Sequence, residues 1–215
     1  MKVDAGVLIP EYEEIYQQCL DFLSENYDVS RIVRKDFEKI SAFLDDFYLF
    51  KPYKMNQLID AYFVKHIPQR ALYCVVATDR DEESAAEGEE EVLLTDPYQF
   101  FLIDLRTDMG KVLIRPETIG DKIFEVLIEQ EVDFDIHPEF SRKYYLYTDS
   151  ENQPRVRRKM NREFLDVIYR YDDLVIQIVK NFMMVKRLQR INREDCEELA
   201  EFIFSVPRTL KKDEG

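Results

Sequence analysis

Apolar positions in the first fifty residues recur at helical spacing. After Pro10, which suits a first helical turn, Tyr12, Ile15, Tyr16, Cys19, Leu20, Phe22 and Leu23 fall on one face. A second helix is expected from about Ser30, a capping hydroxyl, and its apolar face is Val33, Phe37, Ile40, Phe43, Leu44 and Phe47. Pro52 stops it. From Met55 to Arg70 the period is mixed, and a short helix around Asn56 to Ala61 fits. Beyond Pro68, compact β-type runs take over: Ala71 to Thr78, Pro97 to Arg106, and Lys111 to Ile114 after the turn Asp108–Met109–Gly110. Pro116 opens a helix carrying Ile119, Ile123, Val126 and Leu127, with Glu117 at the end its dipole favours.

The stretch Glu131 to Tyr147, EVDFDIHPEFSRKYYLY, alternates as a strand does. Val132, Phe134 and Ile136 then take one side, and Glu131, Asp133, Asp135 and His137 the other. Pro138 bends the chain, Phe140 reads as a core plug, and Ser141 or Glu139 can satisfy exposed backbone donors. Tyr144 to Thr148 resumes as a strand and ends at the polar turn Asp149 to Pro154. Asn161 caps a helix holding Phe164, Leu165, Val167, Ile168 and Tyr169. Leu174 to Val179 and Phe182 to Leu188 flank Lys180–Asn181 as a tight hairpin, since Asn tolerates positive φ. Asn192 caps a last helix with Cys196, Leu199, Ala200, Phe202 and Ile203 inside, and Pro207 ends it.

Helices first, then mostly hairpin-connected strands with interspersed helices, define an α+β fold. The expectation is an N-terminal helical hairpin followed by a mainly antiparallel sheet. Residues 1–52 form a helical segment packed on the rest, 53–210 form the α+β domain with an acidic loop at 79–96, and 211–215 are a frayed tail. There is no internal repeat, and five glycines in 215 residues count against nucleotide-binding turns.

Composition changes this picture at one point only. The net charge of −14 is a segment property: residues 79–96 hold nine acids and one base, whereas 142–193 hold thirteen bases and six acids. The acidic run reads as a solvated loop, and it is also a candidate shield for the basic half. Mean hydropathy is −0.40. No apolar run approaches the roughly 20 residues that span a bilayer, and the N-terminus lacks a signal-peptide pattern. The expected address is the cytoplasm, without membrane insertion. Cys19, Cys74 and Cys196 are odd in number and widely spaced, which suits small buried side chains in a reducing compartment better than a disulfide framework or a zinc site.

Three blocks, FYLF at Phe47 to Phe50, VLIRPE at Val112 to Glu117 and DFDIHPEFSRKYYL at Asp133 to Leu146, give the chain a family likeness. It resembles a group of uncharacterised bacterial proteins that share a C-terminal layout. In that group the third block precedes a polar loop, an Arg-containing segment (here Arg155 to Met160), a helix, a hairpin and a final helix. The resemblance spans roughly residues 47–205 and implies a fold layout without an activity. Many of these proteins carry hydrophobic membrane segments ahead of the domain, where this chain has amphipathic helices.

Two clusters hold what chemistry the chain offers. Asp133, Asp135 and His137 would put two carboxylates and an imidazole on one strand face, a permissive set for a divalent metal and for a hydrolase-like enzyme. The dull alternative is a wet sheet face. Arg155, Arg157, Arg158, Lys159 and Arg162 form a basic group near Tyr144, Tyr145 and Tyr147, a pattern compatible with phosphate contacts and base stacking. A pI near 4.7 and the lack of any nucleic-acid motif favour salt bridging or a protein interface instead. Arg115 and Glu117 read as a loop anchor, with anion binding at a helix start as the alternative. There is no P-loop, GxSxG elbow or HExxH, and His66 and His137 are the only histidines. The expectation is a non-catalytic protein acting through protein–protein contacts, with no cofactor. The alternatives are the metal enzyme and an anionic-ligand binder at Arg155 to Arg162.

Overall fold

The computed structural model describes residues 10–47, 53–80, 96–116, 130–187 and 191–210. Their extended segments build one antiparallel sheet: β1 (Asp28–Arg31), β2 (Tyr53–His66), β3 (Gln69–Arg80), β4 (Asp96–Asp104), β5 (Lys111–Pro116), β6 (Gln130–Glu131), β7 (Tyr144–Thr148), β8 (Leu174–Val179) and β9 (Phe182–Arg187). Across the sheet they run β1-β2-β3-β4-β9-β8-β5-β7-β6. Six α-helices are described: α1 (Pro10–Asn26), α2 (Phe37–Leu44), α3 (Pro138–Lys143), α4 (Gln153–Lys159), α5 (Arg162–Tyr169) and α6 (Arg193–Ser205). The fold is α+β, and no described helix is long and apolar enough to cross a membrane.

Both sheet faces are buried along β3 and β4, which is why these strands read as continuous apolar runs. Ala71, Tyr73, Val75, Phe101 and Ile103 join a core with α1, α6 and Phe140, Val156 and Phe164 from α3, α4 and α5. Cys74, Val76, Phe100 and Leu102 point to the other face, toward Leu44 and Phe47 at the end of α2. The first two helices therefore do not form the expected hairpin. β1 intervenes, pairing with β2, and each helix enters a different core. The segment 1–52 thus supplies a strand to the common sheet as well as helices.

The helix expected around Asn56 to Ala61 is instead part of β2, which pairs with β3 as far as His66 and Gln69. A β-bulge explains the mixed period. Leu58 pairs with Val76 and Asp60 with Val75, so Ile59 is an extra residue and the alternation slips by one. The slip also re-aims Asp60 into the α1 side of the sheet. Its carboxylate, 5% exposed, accepts from Arg31 Nε at 3.0 Å and Nη2 at 2.6 Å, and from the hydroxyls of Tyr16 at 2.9 Å and Tyr62 at 3.0 Å. A single carboxylate thereby ties α1, β1 and β2 together.

The hairpin at Lys180–Asn181 is present, but the positive φ, 57°, falls on Lys180. Gly110, at φ 72°, sits where a Cβ would collide with the Asn152 amide, which donates to Met109 O at 2.7 Å. Asn161 and Asn192 cap α5 and α6 through Phe164 N–H at 2.9 Å and Asp195 N–H at 2.9 Å, and Asp195 returns the bond as a capping box. The helix expected after Pro116 and most of the acidic run, residues 81–95, lie outside the described residues. The strands flanking that run pair antiparallel, Thr78 opposite Asp96.

Candidate functional site

The alternating stretch does not continue as a strand. β6 ends at Glu131, and Val132 N–H still donates to Leu146 O at 2.8 Å. A turn then closes, with His137 N–H donating to Phe134 O at 2.9 Å. The turn inverts the pattern: Val132 and Phe134 stay buried, but Ile136 is 48% exposed and His137 only 4%. Asp133 and Asp135 are exposed. The three candidate ligands therefore do not share a face, because a tight turn rotates successive side chains differently from a pleated strand.

His137 is occupied by structural contacts. Its Nδ1 caps α3, accepting from Phe140 N–H at 3.0 Å. Its Nε2 lies 3.0 Å from Asp166 Oδ1, without the alignment of a hydrogen bond. The ring packs against Phe140 and Tyr169. Pro138 opens α3, Phe140 is fully buried, and Ser141 Oγ accepts from Phe134 N–H at 3.0 Å. Among the described residues no group of three His, Cys, Asp or Glu side chains is placed to hold a metal ion.

The basic group divides by helical geometry. Arg155 and Lys159, four residues apart on α4, share a face turned to the β4–β5 loop. Arg155 pairs with Asp108 at 3.2 Å, and Lys159, buried, donates to Thr107 Oγ1 at 2.7 Å and Asp108 O at 3.2 Å. These two are anchors. Arg157 donates to Asp133 O at 2.6 Å, which fixes the 132–137 turn against α4. Arg157, Arg158 and Arg162 line an open cavity of about 740 Å³, together with Asp135, Ile136, Met160 and Asn161. Arg162 stands 4.0 Å from Asp166, and Arg158 has no ion pair among the described residues. The interruption of helix at Met160–Asn161, between α4 and α5, is what lets arginines from both helices meet the turn.

This cavity is where the two sequence clusters meet, each contributing part of its members. Three arginines surround an exposed isoleucine with two carboxylates nearby, Asp135 in the lining and Asp166 beside Arg162. Guanidiniums are planar five-donor forks suited to carboxylates or phosphates. The cavity can hold an anionic group beside an apolar one. Ile136 and Asp166 were not legible as site residues, since Ile136 carries the apolar phase of a strand pattern and Asp166 reaches the turn only through the α3–α5 packing. Arg115 is not in this cavity: it is 1% exposed, donates to Tyr147 Oη at 3.0 Å and lies over the Tyr145 ring. Glu117 lies outside the described residues. His66 packs at the β2–β3 turn against Tyr27 and Phe204.

An antiparallel α+β protein with a mixed basic and apolar cavity is the class the geometry defines. No family profile matches the sequence, and no curated protein matches it. Among solved structures, the crystal structure of the mycobacterial trehalose monomycolate transport factor A, TtfA, is similar, with a TM-score of 0.52. The match covers 91% of this chain and 93% of that one, at 11% identity, and is a likeness of fold.

Proposed function

We propose that this is a non-catalytic protein that acts through protein–protein contacts, and that it docks an acidic segment of its partner at the Arg157–Arg158–Arg162 cavity. The observation that supports this reading is Ile136, a half-exposed apolar side chain on a turn among three guanidiniums. An exposed isoleucine at such a place is an anchor for an apolar side chain, and the arginines select acidic neighbours to it.

The test is anisotropy of a labelled Glu-rich peptide containing two leucines, titrated with the full chain over a salt series. Affinity falls with salt, and Arg158→Glu with Arg162→Glu weakens it at least tenfold, whereas Arg155→Glu, on the anchoring face, changes it little. Equal loss from Arg155→Glu, or binding indifferent to Arg158 and Arg162, refutes the assignment. A polyphosphate that binds as tightly as the peptide, with no contribution from the leucines, shifts the reading to a simple anion site.

A further inference from the structure

Cys19 on α1 and Cys196 on α6 are 177 positions apart in the chain, yet both are fully buried in the same core. The α6 cap brings them together. Asn192 O accepts the Cys196 N–H at 3.0 Å and also the Cys19 thiol at 3.6 Å. Cys196 is also the neighbour that most perturbs the Cys19 thiol, and Cys19 the one that most perturbs Cys196. We infer that Cys19 and Cys196 are a thiol pair that closes into a disulfide, stapling the first described helix to the last. The third cysteine, Cys74, points to the opposite core and has no part in it.

The neighbouring Cys196 lowers the Cys19 pKa against the opposing effect of burial, while Cys19 and burial raise that of Cys196. In the unfolded chain both thiols are accessible, and either can open the exchange while the other resolves it. When Cys19 opens it, with a small-molecule disulfide as oxidant, the Cys19 thiolate attacks one of the oxidant's sulfurs, a mixed disulfide forms and one thiolate leaves. Cys196 then loses its proton and attacks the Cys19 sulfur, expelling the second thiolate. The two cysteines lose two electrons, the oxidant gains them, and the two protons end on the two departing thiols.

Refolding the full chain from urea in oxidised glutathione tests this without requiring access to the folded core. The expected result is a monomer whose free thiols fall from the three of the reduced protein to one. Peptide mapping then finds Cys19 joined to Cys196, and Tm rises by roughly 5–15 °C, reversed by reductant. Cys74→Ser keeps the cross-link and Cys196→Ser abolishes it. Three free thiols after refolding, a bond that uses Cys74, or a bond between two chains overturns the inference.

Discussion

Asp60 offers the sharpest test of how the N-terminal elements are held. Asp60→Ala removes a buried carboxylate that accepts from Arg31, Tyr16 and Tyr62. Arg31 is 59% exposed, so its guanidinium rehydrates and that pair contributes at most about 1 kcal/mol. The tyrosine hydroxyls are 2.9 Å apart and keep each other as partners, which leaves one part-buried donor orphaned, at about 1–3 kcal/mol. Removing the buried charge itself returns some desolvation energy. The net destabilisation is about 2 kcal/mol, or roughly 4–8 °C in Tm for a chain of this size. Urea denaturation should show a lower midpoint at unchanged m. Tyr16→Phe should be non-additive with Asp60→Ala, coupled by about 1 kcal/mol. Full additivity, or a loss below about 0.5 kcal/mol for Asp60→Ala, would mean that the carboxylate is a bystander to the bulge.

Three further outcomes are expected. Arg187, nearly buried, is paired with Asp173 and Glu198 and stands 3.6 Å from Asp195, joining β9, α6 and the loop before β8. Arg187→Met should cost about 2–4 kcal/mol by calorimetry, and a stable variant would refute the role. Burial pulls the Lys186 amine down to about 8 from its ordinary 10.5. Between those values the unfolded chain holds the extra proton, so this residue makes stability rise with pH from about 8 to 10.5, while below 8 its penalty is constant. Because the side chain keeps some solvent contact, the stability change should be about 1–2 kcal/mol, and a 13Cε titration midpoint above 10 would contradict it. Ile136→Ser should leave Tm within about 1 °C, since the side chain is half exposed, yet weaken binding of the acidic peptide at least threefold. Unchanged affinity removes Ile136 from the docking surface.

Caps, hairpins and apolar runs were legible because they depend on near neighbours. Asn161 and Asn192 each bond an N–H three residues on, and the β8–β9 pairing follows from a two-residue turn between apolar runs. Phe140 and Ser141 were readable for the same reason, Pro138 forcing a corner that needs a plug and an acceptor. Two misreadings have local causes that the pattern conceals. An extra residue, Ile59, mixes the period of β2 so that it resembles a helix, and a turn at Asp135–Ile136 ends an alternation whose letters continue past it.

The sequence alone determined that this chain is α+β, where most elements start and stop, and that its basic charge gathers around Arg155 to Arg162. Those features follow from side-chain period, capping chemistry and composition, all short-range properties. Only the tertiary structure decided that α1 and α2 take opposite faces, that Cys19 meets Cys196, and that Arg158 and Arg162 join Ile136 while Lys159 turns away. Side-chain direction depends on the backbone's rotation at each residue and on which distant surface packs there, and a linear pattern carries neither. The stretch whose alternation promised a polar row of ligands therefore became a turn with its histidine inside and its isoleucine outside.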